Sequence, residues 1–262
     1  MENIETIGLV LSGGGTKGVA HAGVLKFLNE KDIAVDRIAC CSAGSIVAAL
    51  YSVGKSPEEI LHFFQSIYLF SWKHLTISKS GFLSSTTFRE HLEPILGDLK
   101  IGDLEVDLKI VATEMVSGSQ VVFDKEFNLI DAVSASCSIP GISVPFIKDD
   151  KVYCDGGVLN NFPADIIRFD CDKIIGVFLS PPQSVQPKDL DSIKSVISRS
   201  YDLISYRTEQ YKFAYCDWFI TSQDLAQFGT FEKKASRLQE IYDLGYQSAQ
   251  ETYSWGDEEI AI

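Results

Sequence analysis

The sequence predicts an α/β fold built on parallel strands, and three observations predict it. "TIGLVLS" (Thr6–Ser12) and "RIACC" (Arg37–Cys41) are short apolar runs that stop at glycines or small residues, as buried strands do. Each is followed by a segment of helical periodicity: Val19, Ala22, Val24, Leu25 and Leu28 after the first, "GSIVAALYSVG" closed by Gly54 after the second. Strand, helix, strand, helix in so short a stretch calls for parallel strands joined by a crossover packed on the sheet.

The remaining elements follow in order. Ser56-Pro57-Glu58-Glu59 reads as a helix cap with proline at the first helical position and a carboxylate at the third, opening a helix to about Ser66. The aromatic, irregular run Ile67–Leu83 is either a loop packed on the core or a flap that turns Trp72, Leu75, Phe82 and Leu83 toward an apolar pocket. Thr86–Leu96 is expected as a helix despite Pro94. "LKIVATEM" and "SQVVFD" are expected as strands about the Ser117-Gly118 turn, and Leu129–Ser136 as a short helix. "ISVPFIKDDKVYCDGG" contains two strands joined at Lys148–Lys151, and "DKIIGVFLS" another buried strand. A helix from about Leu190 to Phe213, a brief strand "WFIT" and a final helix from Glu232 to Glu251 complete the chain. No linker or repeat divides it, so residues 1–262 read as a single domain. Its motif-bearing core covers about 7–179 and a helical C-terminal part about 189–255.

Composition narrows the function. Hydrophobic content of 45% and charged content of 23% fit a globular protein of 262 residues. A net charge of −13 argues against nucleic acid as a partner and against long-range attraction to anionic membranes, leaving docking on neutral lipid open. The first residues lack a basic region before an apolar run, and nothing approaches the roughly 18 apolar residues of a span. A cytoplasmic protein that visits membranes only peripherally is therefore expected. Six cysteines without a CxxC pair read as buried free thiols rather than a metal cluster.

"LVLSGGGTKGVAHAGVL" has three readings. As a Walker A loop it fails, because Val19 and Ala20 stand where Lys and Ser or Thr must bind phosphate and Mg2+. As a dinucleotide fingerprint Gly13, Gly15 and Gly18 fit, but the supporting acid Asp36 opens the second strand instead of ending it. As an oxyanion hole, successive glycines let amides turn inward together, with the following helix adding its positive end.

Ser42 lies where the second strand turns into a helix, so it is an N-cap or the nucleophile of an elbow. The elbow pattern Gly-x-Ser-x-Gly is met at Gly44, while Cys40 replaces the first glycine. The histidines are His21, His62, His74 and His91, all well before Asp155, so the usual order Ser…Asp…His is not available. His21 reads as structural. A carboxylate can accept a serine proton if it lies buried beside it, and Asp155, in "VYCDGGVLNNFP", is the candidate. Asp-Gly is also a common turn signal.

"GGGTKG", "CSAGS" and "DGGVLNNFP" together closely resemble the signature blocks of the patatin-like phospholipase family. The resemblance runs in the family's order from about Ile7 to Leu179, with "SASCSIPGISVPF" as a further block, a small-residue helix ending in Pro140 before the strand that leads to the Asp. It implies a three-layer α/β/α fold and a Ser–Asp dyad that needs no histidine, metal or cofactor. It assigns the nucleophile to Ser42, the general base to Asp155 and the oxyanion donors to Gly13, Gly14 and Gly15. Lys17 matches the basic position of the glycine loop, and Asn161 and Pro163 the tail of the Asp-Gly-Gly block. The implied activity is hydrolysis of lipid or other acyl esters through an acyl-serine. Acyl transfer from the same acyl-serine, and a binding protein that has lost activity, are the alternatives; Cys40 is the sequence support for the latter.

Overall fold

The computed structural model describes residues 5–70, 85–229, 232 and 234–255. The strands are β1 (Ile7–Leu11), β2 (Arg37–Cys41), β3 (Asp107–Glu114), β4 (Ser119–Val122), β5 (Phe146–Lys148), β6 (Lys151–Asp155), β7 (Lys173–Val177) and β8 (Trp218–Ile220). The helices are α1 (Val19–Glu30), α2 (Ala43–Ser52), α3 (Pro57–Phe70), α4 (Ser85–Leu96), α5 (Leu129–Ser136), α6 (Ala164–Ile167), α7 (Ile193–Glu209) and α8 (Ala235–Thr252).

Among the described residues the strands form one sheet in the order β5-β6-β3-β2-β1-β7-β8, with β4 paired to β3. The run from β3 to β8 is parallel throughout. β4, β5 and β6 join antiparallel on the β3 side. The two-residue period of a strand sends alternate side chains to opposite faces. Leu9, Leu11, Ile38 and Cys40 enter the larger core with α1, α2 and α3. Val10 and Ala39 enter a second core with Phe162, Ile167 and Phe178. Both faces are thus covered, which is the expected α/β/α layering.

Local chemistry explains the element ends. Ser56 and Glu59 form a reciprocal capping box, with Ser56 N–H donating to Glu59 Oε2 at 2.9 Å and Glu59 N–H to Ser56 Oγ at 3.1 Å. α3 continues past Ser66 to Phe70, because Phe63, Phe64 and Ile67 extend its buried face. Of the expected flap, Trp72, Leu75, Phe82 and Leu83 lie outside the described residues. Asp149 and Asp150 have φ of 51° and 60°, the left-handed pair that a tight β5–β6 hairpin requires. The helix expected from Leu190 to Phe213 is divided. A 3-10 turn (Pro187–Leu190) precedes α7, whose cap Ser192 accepts from Ser195 N–H at 3.1 Å, and a second 3-10 turn (Gln210–Tyr215) follows it.

α8 closes the molecule onto α1. A Cβ on Gly23 would lie 2.0 Å from Tyr242 O, and one on Gly245 2.0 Å from Ala20 O. These two glycines therefore let the helices touch backbone to backbone. α1 is the helix that follows the glycine loop, so this contact braces the loop from behind.

Candidate active site

β1 and β2 are adjacent and parallel, so the glycine loop after Leu11 and the turn after Cys41 meet on one edge of the sheet. β6 pairs with β3 so that Asp155 lies opposite Ala112, while β2 pairs with the same β3 at Cys41–Val111. The sheet register thus brings Ser42 and Asp155 together across β3.

Ser42 has φ 50° and ψ −125°, backbone that glycine favours and that costs a serine about 1–3 kcal/mol. Its hydroxyl makes no capping bond to α2. An N-cap serine has extended backbone and accepts from the first turn; Ser42 does neither. Its Oγ instead donates to Asp155 Oδ2 at 2.6 Å. Gly44 is required here, since a Cβ on it would meet Leu11 O at 2.4 Å. Cys40 does not obstruct the turn. Its side chain packs in the larger core and its thiol reaches Lys109 O at 3.5 Å, away from the serine.

Asp155 is 4% exposed and Ser42 5%. Gly157 N–H donates to Asp155 Oδ1 at 2.7 Å, and the Cys41 thiol lies 3.8 Å from the same oxygen. Burial pushes the Asp155 pKa up to about 6, against the opposing pull of the Ser42, Gly157 and Cys41 hydrogen bonds. Burial, then the charge of Asp155, pushes the Cys41 thiol well up, so it stays protonated.

Two serines after β4 clamp the pair. Ser42 N–H donates to Ser136 Oγ at 2.8 Å, and Asp155 N–H to Ser138 O at 2.8 Å. Thr113 Oγ1 donates to Asp155 O at 3.1 Å. Ser136 and Ser138 lie in the "SASCSIPGISVPF" block; the role of Ser138 is not legible there, because a carbonyl acceptor leaves no mark in residue identity.

The glycine loop lines the other side. A Cβ on Gly13 would lie 2.3 Å from Asn161 Oδ1 and 3.1 Å from Ser42 Cβ, so Gly13 permits the close approach. The Gly13 amide, one of the three expected oxyanion donors, donates to Asn161 O at 3.1 Å. Gly14 and Gly15 lead the 3-10 turn Gly15–Gly18, and among the described residues no backbone carbonyl closes on their amides. Gly15 needs its φ of 60° to start that turn. Lys17, on the same turn, is half-buried; burial lowers its pKa and Asp202 of α7 opposes this. His21 is fully buried and its Nε2 bonds Ser12 O at 2.8 Å, with burial holding its pKa down at about 4. It is a neutral strut beneath the glycine loop.

A buried ion pair at the end of α7 holds the Asp-Gly-Gly tail. Glu209, 1% exposed, accepts from Asn161 N–H at 3.0 Å and Phe162 N–H at 3.1 Å. Lys212 Nζ reaches Glu209 Oε2 at 2.8 Å and Asn160 Oδ1 at 2.7 Å. Sequence reasoning missed both; an acid and a base three residues apart on a helix read as an ordinary surface pair. Asp36 accepts from Ile7 N–H at the opposite end of the strands, far from any nucleotide position. No cluster of three metal-ligating side chains occurs among the described residues.

A model described as patatin-like phospholipase matches residues 9–168, which contain the glycine loop, Ser42 and Asp155. An uncharacterized NTE family protein of Mycobacterium bovis is 30% identical over 189 residues, covering 71% of this chain and 52% of its own length. The Patatin-like phospholipase domain-containing protein 6 of Mus musculus is 33% identical over 172 residues, 63% of this chain and 13% of its own. The chain thus spans about half the length of the mycobacterial relative and a smaller share of the murine one. VipD from Legionella pneumophila has the same fold, with a TM-score of 0.56 at 14% identity over 95% of this chain and 66% of its own. With more than half of its residues matched by that model, the chain belongs to the patatin-like phospholipase family.

Proposed function

We propose that the protein is a serine lipid acyl hydrolase, of the phospholipase A, lysophospholipase or carboxylesterase type. The observation that carries this reading is the 2.6 Å hydrogen bond from Ser42 Oγ to a buried Asp155. Ser42 Oγ attacks the ester carbonyl while Asp155 Oδ2 takes its proton. The amides of Gly14 and Gly15, at the positive end of the turn leading into α1, receive the oxyanion. Asp155 returns the proton to the leaving alcohol, then draws one from the water that releases the fatty acid. A carboxyl group with a pKa of about 6 is ionised at neutral pH yet basic enough to accept a proton in the transition state.

A neutral lipid surface is the proposed docking partner. α7 carries Ile193, Ile197 and Ile204 in one exposed stripe, flanked by Val196 and Leu203, while its Glu209 turns inward. This is the reverse of an ordinary surface helix, and the stripe lies on the helix that walls the dyad. No described helix is long and apolar enough to cross a membrane.

Incubation with a fluorophosphonate probe and peptide mapping tests the reading, alongside fatty-acid release from zwitterionic vesicles. The expected adduct is on Ser42, with turnover lost in Ser42→Ala and Asp155→Asn. Release unchanged in either variant refutes the dyad. Vesicle release unchanged in Ile197→Asp/Ile204→Asp refutes the docking stripe.

A further inference from the structure

We infer that Tyr201, on α7 and outside the residues matched to the family, contacts the substrate and donates a hydrogen bond to the leaving-group oxygen. The inference rests on the proposed acyl-serine chemistry. Its starting point is Gly157. A Cβ at that position would lie 3.0 Å from Tyr201 Oη, 3.0 Å from Asp155 Oδ1 and 2.9 Å from Asn161 Oδ1. Two oxygens of the Asp-Gly-Gly block and the Tyr201 phenol oxygen from α7 therefore surround this position, and the phenol oxygen is at most about 6 Å from the Asp155 Oδ1. Two groups that each hydrogen-bond the same oxygen stand up to roughly 5.6 Å apart. A substrate oxygen can accordingly sit between carboxyl and phenol.

The phenol is free to serve. Tyr201 Oη makes no hydrogen bond among the described residues, and the residue as a whole is 41% exposed. Burial of the phenol, and then the charge of Asp155, push its pKa up. It is thus a donor throughout the working pH range.

Its mount is rigid. Two turns along the same helix, Glu209 binds the Asn161 and Phe162 amides and is locked by Lys212. The neighbouring Asp202 acts on Lys17 of the glycine loop. α7 is therefore tied to the Asp-Gly-Gly loop through Glu209, and Tyr201 lies two turns before that tie, next to Asp202. In the acylation step the ester C–O bond breaks, Asp155 delivers the proton it took from Ser42, and the departing oxygen carries transient negative charge. A second donor at that oxygen lowers the charge it must bear, without itself losing a proton.

Leaving-group dependence separates this role from a structural one. Wild type and Tyr201→Phe are compared on ethyl butyrate and p-nitrophenyl butyrate, which share an acyl group but differ in how much help the departing oxygen needs. The expected result is a loss of about 10- to 100-fold in kcat/KM on the ethyl ester and less than about threefold on the aryl ester. Tyr201→His, which keeps a donor, should recover part of the ethyl-ester activity. Fluorophosphonate labelling of Ser42 reports that the site is assembled in each variant. Equal losses on both esters, or no loss on either, overturn the role of Tyr201. A wild-type protein that neither labels at Ser42 nor cleaves either ester overturns the hydrolase reading beneath it.

Discussion

Replacing Asp155 by Asn should inactivate the protein and, at the same time, stabilise it. The native carboxyl titrates at about 6 because burial disfavours its charge, whereas an unfolded aspartate titrates near 3.8. The native state therefore binds the proton more tightly than the unfolded state between those values. Stability contributed by Asp155 is full below about pH 3.8, falls as pH rises through about 6, and is absent above it. The difference between the two pKa values corresponds to about 3 kcal/mol. Asparagine has nearly the same shape, cannot ionise, and keeps an oxygen for the Gly157 amide. Urea unfolding followed by tryptophan fluorescence across roughly pH 4.5 to 8 gives the stability of both proteins, and subtracting them cancels every other titrating group. The variant should exceed wild type by up to about 3 kcal/mol at the alkaline end, narrowing to about 1 kcal/mol at the acid end. Over the same range the wild-type kcat/KM should rise with pH through about 6, as the base loses its proton. A stability difference that stays constant across the range, or favours wild type at the alkaline end, would refute burial as the origin of the raised pKa.

Two further outcomes follow from the packing. Gly245→Val should lower stability by about 1–3 kcal/mol or more, because its Cβ would strike Ala20 O; an unchanged thermal midpoint would contradict the backbone-to-backbone contact. Glu209→Ala leaves Lys212, which is 4% exposed, with the longer 3.4 Å contact to Asp165 as its ion pair and should cost about 3 kcal/mol, with Lys212→Met added to it recovering a large part; chemical denaturation of the single and double variants measures this, and additive losses would rule the coupling out.

The scaffold was legible wherever periodicity was long. β1, β2, α1 and α2 follow their apolar patterns closely, and α5 runs from Leu129 to Ser136 as its sequence implies. α3 outran its expected end because "SIYLF" looks irregular locally, yet Ile67 falls on the buried face set by Ile60 and Phe64. α6 and the 3-10 turns are too short to impose a period. Ser42 and Asp155 were legible as residue types beside glycines. The parts that hold them were not. Ser138 acts through its carbonyl, and Asn161 through its backbone N–H and C=O, so their identities say little about the task. Glu209 and Lys212 gain their meaning only from burial, which depends on how α7 folds back over the loop. The Gly13 amide shows the same dependence: its partner, the Asn161 carbonyl, is distant in the chain.

The braces supplied by Glu209 and Gly245 have a consequence for biosynthesis. Ser42 and Asp155 leave the ribosome well before either brace does. A nascent chain exposed only as far as β7 owns the reactive pair without the salt link that fixes its loop or the closing helix that presses on α1. Possessing the chemistry and being able to hold it in place are thus separated in time, and messages truncated downstream of Asp155 encode the former without the latter.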